Sequence, residues 1–135
     1  MTRVLFDLFC SMLLALAVFL MVAGFSEAEA ADRWDTADLA LASGLAVGHA
    51  ADYLQTIQIK GRPDLEESDW LGRRVMGRQP EAGVAAAYFV GVYAAELGVA
   101  HVLPSGWRKA WLAGRLGFSI YTVRNNCNLG LKVRF

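Results

Sequence analysis

The stretch LALASGLAVGHAAD, residues 39–52, sets Ala40, Gly44, Gly48 and Asp52 four residues apart. Residues at that spacing share one face of a helix, so the stretch predicts a helix with a smooth side that ends in a carboxylate. Two later stretches repeat the device: Gly91, Ala94, Gly98 and His101, then Ala110, Gly114, Gly117 and Tyr121. In water such faces are poor, because glycine weakens a helix and buries little apolar area. In a bilayer, helices associate through close van der Waals contact and interhelical hydrogen bonds, which small residues permit. The three stripes therefore predict an all-α fold of the membrane-bundle kind. Gly44, Gly48, Gly91, Gly98, Gly114 and Gly117 are its expected helix-packing positions.

Bulk properties agree. The chain of 135 residues is 56% hydrophobic and 19% charged, against about 45–50% and about 25% in soluble domains. Thirteen basic residues balance thirteen acidic ones, so nothing suggests a nucleic-acid surface and no nucleic-acid partner is expected. Cys10 and Cys127 lie at opposite ends and match no metal or redox spacing.

Residues 1–30 have the layout of a signal peptide or of an uncleaved signal anchor. Arg3 precedes an apolar run from Met12 to Phe25, and Ala28-Glu29-Ala30 offers a cleavage site. Val4 to Phe25 is also long enough to span a bilayer. Residues 31–135 then form a single helical membrane domain. A helix begins at Asp35-Thr36, where either side chain can cap it, and runs to about Lys60 before Gly61-Arg62-Pro63. A polar connection with a short helix follows, carrying Trp70 as an interfacial anchor. The second long helix covers about 80–103, entered through Pro80, and the third about 107–124, after the turn at Pro104-Ser105-Gly106. The tail from Asn128 alternates apolar and other residues and is expected to be a short extended segment on the membrane surface.

Charge placement tests the topology separately. With the amino terminus inside and alternating spans, Arg3, Lys60, Arg62, Arg73, Arg74, Arg78, Arg124, Lys132 and Arg134 are cytoplasmic. Arg33, Arg108 and Lys109 are outside, and Arg115 lies within a helix. Nine against three is the sign of the positive-inside rule, and it puts the carboxyl terminus on the cytoplasmic side.

Ionisable residues inside spans usually face the bundle interior and pair there. Asp52, Gln55 and Thr56 occupy one helical turn. Glu96 and His101 lie on the second helix and Arg115 on the third, which predicts an internal Glu96–Arg115 pair with His49 nearby. Asn125 closes the set of polar contacts. No residues have the spacing of a nucleophile triad, a zinc site or a phosphate loop, so no catalytic residue, metal or cofactor is expected.

Asp52-Tyr53-Leu54-Gln55-Thr56, Met76-Gly77-Arg78-Gln79-Pro80, Tyr88-Phe89, Leu103-Pro104 and Asn125…Leu129-Gly130 follow one another in a telling order. Over roughly residues 35–135 the chain resembles an uncharacterised family of small helical membrane proteins of bacteria and their phages. That family shows D-x-x-Q-T, an E-x-N-P-x-L-G-x-H-P-like loop, a Y-F helix and an L-P turn. Here Arg73-Arg74 replaces Asn-Pro and Gln79 replaces His, and the loop acid falls to Glu67 or Asp69 with a shift of register. The resemblance implies membrane topology and supplies no activity.

The expectation is a non-enzymatic integral membrane protein with a structural or interaction role. Its partners are membrane lipid and a second copy or another membrane protein, met through the Gly/Ala faces. Two other classes fit the same residues: a phage or prophage lysis-type pore former, and a membrane site for protons, a metal or a small substrate built from Asp52, Glu96 and His101.

Overall fold

A computed structural model describes residues 33–133, and the signal peptide or anchor expected over residues 1–30 lies outside them. Among the described residues the protein is all-helical, with four helices and no strand: α1 (Thr36–Thr56), α2 (Trp70–Met76), α3 (Ala82–Val102) and α4 (Ser105–Asn128). The long helices have 21, 21 and 24 residues. At 1.5 Å per residue each reaches roughly 30 Å or more, the thickness of a hydrocarbon core.

Local chemistry sets the helix ends. Asp35 caps α1 by accepting the Asp38 N–H at 2.9 Å, and Asp38 accepts the Asp35 N–H at 3.2 Å. Helix α1 ends at Thr56, earlier than the sequence reading; the chain then turns to Gly61, whose φ of +85° few other residues tolerate. Asp69 caps α2 through the Gly72 N–H. Buried Pro80 precedes α3, and Pro104 is the N-cap of α4.

Helices α1 and α4 run parallel, side by side, in a steady register. Asp38 meets Arg108, Gly44 meets Leu116, Gly48 meets Ser119 and Asp52 meets Asn126. Helix α3 lies antiparallel to both, with His49 and Arg115 on Glu96 and Tyr93 donating to the Ala42 carbonyl at 3.1 Å. Ala42, Leu45, Ala100 and Leu112 form one apolar cluster, and Met76, Ala85 and Phe89 a second beside α2.

The glycine stripes divide. A Cβ added at Gly44 would meet Leu116 Cδ2 at 3.3 Å, and one at Gly48 would collide with the Ser119 hydroxyl. Those two glycines let α1 and α4 approach within the chain. Gly91, Gly98, Gly114 and Gly117 have nothing within 4 Å of an added Cβ. The tail, through Val133, keeps Leu129, Gly130 and Lys132 exposed and buries Leu131. Gly130, at φ +80°, turns it back, and Leu131 is buried against the end of α1, where its carbonyl accepts from Gln55.

Candidate functional site

Three polar layers cross the bundle from the α1 N-terminus to its C-terminus. In the first, Asp38 and Arg108 are both fully buried and paired at 3.0 Å. Arg108 Nε also donates to the Ala100 carbonyl at 3.0 Å and Nη2 to the Leu103 carbonyl at 3.1 Å. One guanidinium thus closes the C-terminal carbonyls of α3 and clamps them to the first turn of α1. Its carbon lies 5.3 Å from the centre of the Trp34 ring, within cation–π range. Sequence reasoning placed Arg108 among the outer flanking charges and missed the pair. Asp38 reads as a capping residue, and nothing local links it to a residue 70 positions away.

The second layer is the expected Glu96–Arg115 pair, with His49 added. Arg115 donates from Nε to Glu96 Oε1 at 2.7 Å, and its Nη2 meets the same oxygen. His49 Nε2 lies 2.8 Å from Glu96 Oε2. A carboxylate held by a guanidinium only accepts, so His49 donates through Nε2. Helices α1, α3 and α4 each contribute one member.

The third layer surrounds an open cavity of about 370 Å³ between the C-terminal half of α1, the connection, α2, the start of α3 and the end of α4. Asp52 lines it and accepts the Asn126 amide at 2.8 Å. Thr56 lines it as well. Gln55, fully buried beside it, donates from Nε2 to the carbonyls of Val123 and Leu131 and to Cys127 Sγ. The connection closes one side. Gln79 staples it, donating to the Leu65 carbonyl at 2.7 Å and accepting the Gly61 N–H. Both loop acids face the cavity. Asp69 accepts from Tyr88 Oη at 3.1 Å and from the Gly72 N–H, whereas Glu67 accepts the Asp69 N–H at 3.0 Å. Burial pushes the Glu67 carboxyl above its usual range, opposed by that backbone bond and reinforced by the Asp69 charge.

The structure therefore brings Asp52, Gln55, Thr56, Glu96 and Arg115 inward. His101, on the third stripe position beyond Gly98, is exposed near the end of α3, apart from Asp52 and Glu96. Asn125 is exposed too, and its neighbour Asn126 makes the contact to Asp52. A one-residue step along α4 rotates the side chain by about 100°, enough to exchange inside for outside. Comparison with known protein families, curated proteins and solved structures gives no match to this chain.

Proposed function

We propose that the chain is a small integral membrane protein of a bacterial inner membrane, with its carboxyl terminus in the cytoplasm and a structural or interaction role. The observation that carries this reading is the inversion of polarity across the three long helices. From Leu39 to Ala50, Ala82 to Gly98 and Ala110 to Tyr121, the exposed positions are alanine, glycine, valine, leucine, isoleucine and phenylalanine. Ser43 and Tyr121 are the exceptions. Within the same spans His49, Glu96, Arg115 and Ser119 turn inward. A water-soluble bundle has the opposite arrangement, with a broad polar outer face.

Helix α3 is, among the described residues, the one helix long and apolar enough to cross a membrane, and 17% of its most apolar window is buried by the rest of the chain. A core helix of a soluble protein is mostly covered. Lipid is the partner whose chemistry suits Val84, Val90, Phe118 and Ile120, all exposed. The open glycines Gly91 and Gly98 on α3, and Gly114 and Gly117 on α4, are positions where a second copy or another membrane helix can approach closely. The divergent D-x-x-Q-T and Y-F motifs, and the nine-to-three charge bias, support the same reading.

Alkaline carbonate extraction of bacterial membranes carrying the tagged full-length chain tests it. Retention in the membrane pellet is expected. Release into the supernatant would remove the integral reading, and with it the lipid-facing role of α3.

A further inference from the structure

Helix α2 buries one side and leaves the other bare. Gly72 and Met76 are buried, and Met76 packs with Ala85 and Phe89 near the start of α3. The opposite side carries Trp70 at 56% exposed, Leu71 at 45% and Val75 at 54%. Trp70 and Arg74 stand one helical turn apart, and the Arg74 guanidinium carbon lies 5.7 Å from the centre of the Trp70 ring. From Trp70 to Pro80 the chain holds three arginines and no acidic residue. Arg73 and Arg78 share one carboxylate, Glu66, at 3.1 and 3.6 Å, and the Arg78 side chain remains 70% exposed. One acid thus answers two guanidinium groups.

A patch that joins an exposed indole, two aliphatic side chains and an excess of positive charge suits neither bulk water nor hydrocarbon. It suits the boundary between them, where indole rings sit at headgroup level and arginines reach phosphate. The patch belongs to the connection between α1 and α3, at the end of the bundle where the charge bias puts the cytoplasm. The cytoplasmic leaflet is the one whose anionic lipids attract basic segments beside a span.

We propose that α2 docks on the anionic phospholipid headgroups of that leaflet. Trp70, Leu71 and Val75 sit among the upper acyl carbons, and Arg74 and Arg78 on the phosphates. The inference rests on the membrane reading and adds to it a lipid class and the arginines that select it.

The test reconstitutes the full chain in mixed vesicles of phosphatidylcholine and phosphatidylglycerol, with one lipid or the other brominated on its acyl chains. Flotation with the vesicles comes first, and a chain that fails to float removes the membrane reading and this proposal together. Bromine quenches a neighbouring indole, and the difference between wild type and Trp70→Phe isolates the signal of Trp70. Both lipids are expected to quench it, with brominated phosphatidylglycerol favoured and the preference narrowed by added salt. Arg74→Gln and Arg78→Gln are each expected to lower that preference by about fivefold, equal to about 1 kcal/mol. Lys109→Gln, on α4 at the other end of the bundle, should leave it unchanged. In a chain that floats, equal quenching by the two lipids overturns the proposal. So does a preference that survives both arginine substitutions, or one that falls equally in Lys109→Gln. A Trp70 quenched by neither lipid also overturns it, since α2 would then stand clear of the bilayer.

Discussion

Two sets of glycines with the same helical spacing meet opposite surroundings. At the seam between α1 and α4, Gly44 and Gly48 hold two backbones close, against Leu116 and the Ser119 hydroxyl. On the outer faces of α3 and α4, Gly91, Gly98, Gly114 and Gly117 face open space. The spacing of small residues announces that something can approach closely; it does not announce what. At the seam the approaching element belongs to the same chain, and is fixed there by the Asp38–Arg108 pair at one end and Asp52–Asn126 at the other.

The seam should be the fragile region and the outer face the tolerant one. Thermal melting of the detergent-solubilised chain, followed by circular dichroism, ranks them. Asp38→Ala removes a carboxylate paired with a fully buried arginine and should cost about 3–5 kcal/mol. A melt within about 0.5 kcal/mol of wild type, the range of neutral surface changes, would mean that Arg108 is not sealed in the seam. Gly48→Leu forces a branched side chain into the Ser119 position and should cost at least about 2 kcal/mol by overpacking. Glu96→Gln leaves Arg115 without its carboxylate and should cost about 1–3 kcal/mol.

Gly98→Leu sharpens the contrast. It should leave the melt within about 0.5 kcal/mol, because nothing lies over that position. It should nonetheless reduce crosslinking between copies in membranes if the outer face is where copies meet, and unchanged crosslinking would dismiss α3 as that face. An effect of opposite sign is expected at Glu67, where Glu67→Gln should stabilise by under about 0.5 kcal/mol, since an uncharged amide escapes the burial penalty. The sign of its pH dependence follows from a folded pKa raised above the unfolded value of 4.5. The folded state binds the extra proton, so the wild-type carboxyl's own contribution to stability is fully present below pH 4.5 and fades as pH rises through the raised value. A pH series comparing wild type with Glu67→Gln should show the difference growing with pH. A gap that shrinks instead would contradict the burial of that carboxyl.

Much of the helical plan was legible because its signals are local. Asp35 capping is read from neighbours a few residues apart, whereas α1 stops at Thr56, ahead of Gly61, and α4 starts at Ser105, inside the expected turn. The Glu96–Arg115 pair was legible as well, since two opposite charges in otherwise apolar helices have few other partners. Three features resisted. Asp38 and Arg108 each have a local explanation, in capping and in flanking charge, which conceals their pairing. Asn125 and Asn126 are adjacent and chemically identical, and helix rotation alone selects between them. The cavity depends on where the connection folds back, and that is decided by Gln79 and Glu67 reaching across loops rather than by any periodicity.

The account stands on lipid covering the outer face of α3. The most direct test places single cysteines at Val90 and Ala94, both exposed on that face, in a chain whose Cys10 and Cys127 are serine. Intact bacterial membranes are then treated with a water-soluble, membrane-impermeant maleimide. Both thiols should stay unmodified until the membrane is dissolved in denaturing detergent, and then react fully. Rapid modification in the intact membrane would show that water bathes this face, and the bundle would have to be read as one that lives outside the bilayer.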